Sequence, residues 1–465
     1  MTRAVGSARG EVARDLFLVL AGRLGRPHAA GFAALVVFAL AAGCSRPPSG
    51  PPAAPVGGLG APAAAGPARA GDSLAADAER YVDIVLALRA RDRDSVDFYA
   101  GPPERFAEAE RRHLSLAAIR SAAVDLRDRL AAAAPDSEDG RDRREFMTRQ
   151  LEAVVARVDL LAGKRFTFDE ESRAFFGVTA DDGDPTSAAR ARAELETLLP
   201  GRGSLAERYA AFDRRFLVPR DRLQAVLDRA LQECRRVTRE HLTLPDDESV
   251  SIAYTRLMPW SAYADYQGRG RTVIRVNLDY GLTVDRAFNL ACHEAYPGHH
   301  TINTLIDTRL VGPLGRVELT VQPLFSPQSL RTEGAATYAP EVAFTEAERA
   351  AFEGEALFPI VGIDPGRAAR YVRISRLVAQ LDWHQAVIAR EYIDGRLEFA
   401  RAASALEDKA LMISPDATLK FFNEFRSYAL TYTVGRQMVE RAVSGGAAGA
   451  DARWRNYERW ITSTR

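Results

Sequence analysis

The decisive stretch of the sequence is His293-Glu294-Ala295-Tyr296-Pro297-Gly298-His299-His300. The chain has seven histidines, and three of them fall within this short stretch. Histidine nitrogens and carboxylate oxygens are the usual nitrogen and oxygen ligands of zinc in proteins. The segment therefore predicts a metal site. The alternative interpretation is a solvated helix end that carries adjacent histidines and no metal.

The spacing of these histidines departs from the common zinc-hydrolase helix, in which the two ligands lie four residues apart. On an unbroken helix, His299 would point about 120° away from His293, and His300 would lie about 10 Å along the axis. Pro297 opposes such a helix because it lacks an N–H, and Gly298 allows the chain to turn. If this Pro-Gly pair forms a two-residue bulge, His299 lies beside His293. His300 remains the alternative second ligand.

A third ligand is expected on the next strong helical segment, 331–346. Glu333 would there complete a site of two histidines and one carboxylate, with an open fourth position for water. Glu294 would then be the general base, which takes a proton from the water and passes it to the leaving amine. The sequence thus predicts one Zn²⁺ ion as cofactor and a peptidase-like hydrolase that acts on a peptide or another small amide.

These residues resemble the bacterial domain-of-unknown-function family 885. Its mark is His-Glu-x-x-Pro-Gly-His-His, followed by a Glu-Gly-x-Ala-x-Tyr-like segment. Residues 293–300 fit the first pattern, and residues 333–338 fit the second, although Ala335 stands where the family usually has tryptophan. The resemblance covers most of residues 75–445. It implies a zincin-like fold related to metallopeptidases, with the three ligands and the catalytic glutamate proposed above.

Weaker similarities to the same family suggest two further site residues, and position on the helix suggests a third. His384 is a candidate oxyanion donor or substrate clamp, or alternatively a helix-face histidine packed beside Trp383. Tyr432 begins a Tyr-x-x-Gly segment and is a candidate donor to the tetrahedral intermediate, or alternatively a core aromatic residue. Arg436 follows on the same helical face, where it would bind a substrate carboxylate or, alternatively, form an ion pair.

The start of the chain predicts an export signal and a tether. Residues 29–42 carry no charge, follow several arginines, and are fewer than the ~20 residues that a spanning helix needs. Small residues then precede Cys44, which resembles the cleavage box of bacterial lipoproteins. We expect a signal peptide at 1–43, lipidation at Cys44 and a flexible Pro/Ala/Gly-rich tether at 44–71. The alternative is an ordinary secretory signal with an incidental cysteine.

Residues 72–465 predict one catalytic domain, mainly α, with a small antiparallel sheet. A helical subdomain at 72–245 precedes a metal-site half at 246–465. Helical periodicity in the second half begins at Val284, with Thr283 as a plausible N-cap. Short runs rich in β-branched and aromatic residues predict three strands at 249–257, 261–267 and 272–278. The third strand is a candidate for pairing with an extended peptide.

Composition limits the classes of partner. The formal net charge is zero, which gives no electrostatic case for nucleic acid, and we expect membrane attachment by the lipid anchor only. Ser45 favours the periplasmic face of the outer membrane within the cell envelope.

Cys234 and Cys292 are either buried thiols or a pair in an oxidising compartment. Alternative functions are a catalytically silent binding lipoprotein on the same scaffold and a zinc hydrolase of non-peptide amides or esters.

Overall fold

A computed structural model describes residues 70–132, 137–180, 183–447 and 449–464 of the chain. The described residues belong to one compact unit, Ala65–Arg465. The predicted signal peptide, the lipidation site at Cys44 and almost all of the tether lie outside the described residues. Within the described part of the chain, no helix is both long enough and apolar enough to cross a membrane.

The N-terminal half consists of helices that pack through apolar faces repeating every three to four residues. In the first helix, for example, Tyr81, Val85 and Leu88 are almost completely buried on one face. Thr167 and Ser204 each form a capping box at the start of a helix, which fixes where that helix begins. The helices are α1 (Ala70–Arg89), α2 (Pro103–Arg112), α3 (Leu116–Ala132), α4 (Glu138–Leu161), α5 (Phe168–Phe176), α6 (Pro185–Leu198), α7 (Leu205–Asp213) and α8 (Leu223–His241).

Two small sheets accompany these helices. Strand β1 (Val96–Tyr99) pairs antiparallel with β5 (Val321–Pro323). The second sheet has the order β2 (Ser249–Thr255), β4 (Arg271–Asn277), β3 (Ala262–Tyr266). β3 and β4 are antiparallel, which confirms the predicted fold class, and β2 joins β4 in parallel. The prediction that residues 272–278 pair with a peptide is wrong, because β4 is the central strand and both of its edges are occupied. β2 and β3 are the two edge strands of this sheet.

The second half of the chain is again helical. Helix α9 (Val284–Glu294) begins where the sequence predicts it, and the Thr283 hydroxyl accepts a hydrogen bond from the Arg286 N–H at 3.5 Å. Short helical turns connect the longer elements. The remaining long helices are α10 (His299–Ile306), α11 (Pro327–Ala343), α12 (Glu346–Phe352), α13 (Ala368–Ala379), α14 (Trp383–Ile393), α15 (Phe399–Ala410), α16 (Pro415–Phe425), α17 (Arg436–Ser444) and α18 (Ala450–Ile461).

The two cysteines of the folded part lie on packed neighbouring helices. Cys234 on α8 and Cys292 on α9 are both completely buried and are free thiols in the structure. Burial and a hydrogen bond to Cys234 raise the pKa of the Cys292 thiol well above its usual value. The interpretation of two buried thiols therefore describes this structure.

Candidate metal centre

The helix is interrupted between the two histidines that the sequence singled out. Helix α9 ends at Glu294, and a separate helix, α10, begins at His299. The Gly298 N–H donates to the carbonyl oxygen of Cys292 at 2.9 Å, which folds the turn back onto α9. A Cβ atom at residue 298 would lie 1.8 Å from the carbonyl oxygen of His293, so the turn requires glycine. A second hydrogen bond of the same span joins the Thr301 N–H to the carbonyl oxygen of Ala295 at 3.1 Å, so both bonds cross six residues where an α-helix crosses four. The Pro-Gly turn therefore adds two residues between α9 and α10, as the predicted two-residue bulge does.

This turn brings His293 and His299 together. Their ring centroids are 4.9 Å apart, with the ring planes at 79°. Glu333, on α11, lies against both rings: its Oε2 is 3.5 Å from Nε2 of His293, and its Oε1 is 3.3 Å from Nε2 of His299. Two imidazole nitrogens therefore face the two oxygens of one buried carboxylate.

The charges of this cluster influence one another strongly. Burial alone would raise the pKa of Glu333, but the neighbouring His299 and His293 lower it well below its usual range. Burial likewise opposes protonation of His299, yet the Glu333 carboxylate raises its pKa to about 9. Glu333 Oε2 accepts no hydrogen bond from the described residues although it is buried. A cation placed between these groups would satisfy that oxygen.

Glu294 lies beside the same two histidines. His293, Glu294 and His299 each offer a ligand atom within 4.8 Å of the others. Glu294 is 7% exposed, and the main chain of Ala264 on edge strand β3 hydrogen-bonds to its carboxylate. Burial raises the pKa of Glu294, although the positive charge of the histidines works against that rise. Its proton affinity is therefore greater than that of an exposed glutamate.

His300 points into a different environment from its neighbour. It is completely buried, with Nδ1 2.8 Å from the Thr272 hydroxyl and Nε2 3.0 Å from Glu248 Oε2. Burial lowers the pKa of His300. A neutral ring that donates from Nε2 to Glu248 and accepts from Thr272 satisfies both contacts. Of the two candidate second ligands, the structure brings only His299 to Glu333.

Three residues near the cluster carried no signal in the sequence. The Tyr428 hydroxyl donates to Glu333 Oε1 at 2.9 Å. Asp97 on β1 accepts a hydrogen bond from the side-chain amide of Gln322 at 2.9 Å, and burial among Glu333 and Glu294 raises its pKa to about 7. Tyr263 donates to the main-chain oxygen of Asp97 at 2.6 Å. These contacts join segments that are far apart in sequence, which no local pattern indicates.

A cavity of about 530 Å³ opens beside the cluster and is of the size that small-molecule sites have. His293 and Glu294 line one part of its wall, and Tyr432 lines another. The Tyr432 ring lies 6.3 Å from the His293 ring at 28° between their planes. Burial near Glu333 and Glu294 raises the pKa of Tyr432 well above its usual value, so its hydroxyl keeps its proton.

The other two sequence candidates have different surroundings. His384 does not line the cavity; its ring packs against Trp383 with centroids 3.7 Å apart and the ring planes at 31°. Burial together with Lys409 and Arg192 lowers the pKa of His384 to about 4. Arg436 does line the cavity, but it forms ion pairs with Glu341 at 3.3 Å and Glu440 at 3.0 Å. For both residues the structure matches the alternative interpretation, ring packing for one and an ion pair for the other.

Comparison with known proteins supports the fold. No protein-family model and no curated sequence matches the chain. A predicted lipoprotein from Colwellia psychrerythraea superposes with a TM-score of 0.54 at 12% identity, covering 84% of this chain and 99% of that chain. A predicted lipoprotein of unknown function from Shewanella oneidensis has a TM-score of 0.40 at 13% identity, and the superposition covers 77% of this chain and 74% of that chain. A carboxypeptidase from Pyrococcus furiosus has a TM-score of 0.41 at 10% identity, and the superposition covers 84% of this chain and 90% of that chain. The first similarity shows a shared fold, and the two lower scores support no functional argument.

Proposed function

We propose that this chain is a zinc-dependent hydrolase that cleaves peptides or other small amides. His293, His299 and Glu333 are the proposed ligands, and Glu294 is the proposed general base. The observation that supports this proposal most directly is the approach of two Nε2 atoms, at 3.5 and 3.3 Å, to the two oxygens of buried Glu333.

The donor atoms fit zinc in type and spacing. Two atoms bound to zinc at ~2.0–2.1 Å with a tetrahedral angle between them lie roughly 3.3–3.4 Å apart. The nitrogen–oxygen distances observed here, 3.3 and 3.5 Å, are close to that value. Two histidines and one carboxylate also leave a fourth position open, as in hydrolytic zinc sites. The unsatisfied Glu333 Oε2 adds a buried negative group that a cation would neutralise.

The chain's own residues have clear chemical parts in such a reaction. Zinc held there would supply Lewis acidity, which makes a water molecule more acidic and polarises a carbonyl. Glu294, whose pKa burial raises, accepts the water proton and then donates it to the leaving amine. Tyr432 keeps its proton and lies on the cavity wall beside His293, so its hydroxyl can donate to the developing oxyanion.

The cellular location of this activity is also proposed. The charged leader, the short apolar run and the small residues before Cys44 support export and lipid anchoring in the cell envelope. The mature enzyme would then act on short peptides or amides that reach the periplasmic face of the outer membrane. The proposal does not extend to His384, which does not line the cavity, or to Arg436, which forms ion pairs with Glu341 and Glu440.

The test combines elemental analysis with turnover of peptide, amide and ester panels. Wild type and Glu294→Gln should each contain one zinc ion per chain, whereas His293→Ala should lose it. Glu294→Gln should lower turnover by ~10²–10⁴-fold, the usual contribution of a general base. His113→Ala, at an exposed histidine outside the site, is the matched control for both measurements. Equal zinc in wild type and His293→Ala, or unchanged turnover in Glu294→Gln, would refute the proposal.

A further inference from the structure

A second cavity, of about 540 Å³, lies between α4, α10, α11 and α18. It shares no lining residue with the cavity beside the metal cluster. Arg141, Glu145 and Arg149 stand exposed at its rim, so solvent reaches it. Three features of the cavity interior together indicate which chemical groups a ligand must have.

The first feature is a pair of hydrogen-bond acceptors without donors. Gln150 is 1% exposed and Gln328 is 6% exposed, and both line the cavity. The Oε1 atom of each receives no hydrogen bond from the described residues. A buried acceptor that lacks a donor lowers the stability of the folded chain, and most proteins avoid it. Two such acceptors around one cavity indicate a ligand that brings N–H donors.

The second feature is a guanidinium group that has no carboxylate partner among the described residues. Arg331 is largely buried, and among the described residues its guanidinium donates only to the main-chain oxygens of Trp460, at 3.1 Å, and Ser463, at 3.4 Å. It forms no ion pair within the described ranges, and it lies 4.1 Å over the Trp460 ring. Burial and the nearby Arg149 lower the pKa of Arg331 to about 10. A carboxylate from a ligand would compensate the charge of Arg331.

The third feature is an apolar wall. The side chains that form it are Phe146, Ile302, Ile306, Leu310, Leu319 and Leu330. Such a wall disfavours a compact hydrated anion such as phosphate, which would lose its water without gaining contacts. A simple fatty carboxylate would suit the wall and the arginine, but it has no donor for the two glutamine oxygens. The ligand must therefore combine an apolar body, a carboxylate and an N–H group.

We propose that this cavity binds an apolar residue that carries a free α-carboxylate and an N–H on the same carbon. Arg331 holds the carboxylate, Gln150 and Gln328 accept from the nitrogen, and the aliphatic wall packs on the side chain. A free hydrophobic amino acid and the C-terminal end of a short apolar peptide share this chemistry. The site is separate from the proposed zinc chemistry and would exist whether or not the metal cluster is catalytic.

Calorimetric titration of the metal-loaded protein tests the site with four probes. L-leucine represents the amino acid, and N-acetyl-L-leucine represents the end of a peptide. L-leucinamide lacks the carboxylate, and 4-methylpentanoate lacks the N–H, so each should bind at least tenfold more weakly. Tight binding of leucine alone identifies the amino acid, and tight binding of the acetylated form alone identifies the peptide end. If neither binds, or if all four bind equally, the proposal is wrong.

Variants separate this cavity from the metal cluster. Arg331→Met, Gln150→Leu and Gln328→Leu should each weaken binding at least tenfold, the effect of losing one charged or one buried hydrogen bond. The two glutamine variants should keep or raise the thermal midpoint, because each removes an unsatisfied buried acceptor, so their result does not depend on a damaged fold. Gln385→Leu, in the other cavity, and His293→Ala should leave the affinity unchanged. Loss of binding in His293→Ala, or unchanged binding in both glutamine variants, would overturn the proposal.

Discussion

The hydroxyl of Tyr428 donates a 2.9 Å hydrogen bond to Oε1 of Glu333, while Oε2 of the same carboxylate accepts none from the described residues. Tyr428 is buried, and the Ser329 hydroxyl lies 3.4 Å from its oxygen. Tyr428 therefore helps to fix the orientation of Glu333, through the same oxygen that faces Nε2 of His299. In metal sites, groups that orient a ligand in this way have large effects on affinity.

Tyr428→Phe should weaken zinc binding by ~10–100-fold, because the carboxylate gains freedom to rotate away from the histidines. Competition with a chelator of known zinc affinity measures the change. Tyr392→Phe, which removes an exposed hydroxyl bonded to Asn423, is the matched control. If both variants bind zinc as tightly as wild type, Tyr428 does not position the ligand.

Gly298→Ala tests the turn between the two histidines. The new Cβ would lie 1.8 Å from the carbonyl oxygen of His293, so α9 and α10 must move apart. We expect a loss of about 1–3 kcal/mol in the free energy of unfolding, as overpacking usually causes, together with loss of bound zinc. Urea denaturation and elemental analysis measure the two effects.

Gly366→Ala is the control for this substitution, because its Cβ would meet no atom closer than 3.5 Å and its φ is not positive. It should change neither the stability nor the zinc content. A Gly298→Ala protein that retains full zinc content would show that the close turn is not needed to bring His293 and His299 together.

The adjacent histidines should give opposite results. His299→Ala should abolish zinc binding and leave the fold largely intact. His300→Ala should keep the zinc but lower the free energy of unfolding by about 2–4 kcal/mol, because it removes a buried ring and two hydrogen bonds. Elemental analysis and urea denaturation on both variants decide the matter. Zinc loss in folded His300→Ala would reverse the assignment of the second ligand.

The sequence predicts the parts of this site that depend on local chemistry. The Pro-Gly pair between the histidines indicates a broken helix, and the periodicity after residue 331 indicates the helix that carries Glu333. The position of Tyr428 and Asp97 depends on how distant segments pack, and neither residue belongs to a motif. The parallel pairing of β2 with β4 has the same physical origin, because alternation of apolar residues is identical in parallel and antiparallel strands. His384, the histidine of a family-like segment, packs on Trp383 and does not line the cavity, and this position too depends on tertiary packing.

The pH dependence of stability should reveal one buried carboxyl outside the site. Glu353 is completely buried; its Oε1 accepts from Nε of Arg349 at 2.7 Å, and its Oε2 accepts from none of the residues described. Burial outweighs the attraction of Arg349, and Asp285 adds repulsion, so the pKa rises from 4.5 to about 7. The folded chain therefore holds a proton that the unfolded chain has already released between these two values.

Because the pKa of Glu353 is higher in the folded chain than in the unfolded chain, its contribution to stability is full below about pH 4.5. That contribution is lost as pH rises through about 7. Between about pH 5 and pH 8, wild type should lose on the order of 1–3 kcal/mol of unfolding free energy relative to Glu353→Gln. The difference between the two urea-denaturation curves cancels the other titrating groups, and Glu145→Gln, at an exposed ion pair, should give a difference that is flat with pH. If the Glu353→Gln difference is equally flat, the carboxyl is ionised throughout, and the attraction of Arg349 outweighs the cost of burial.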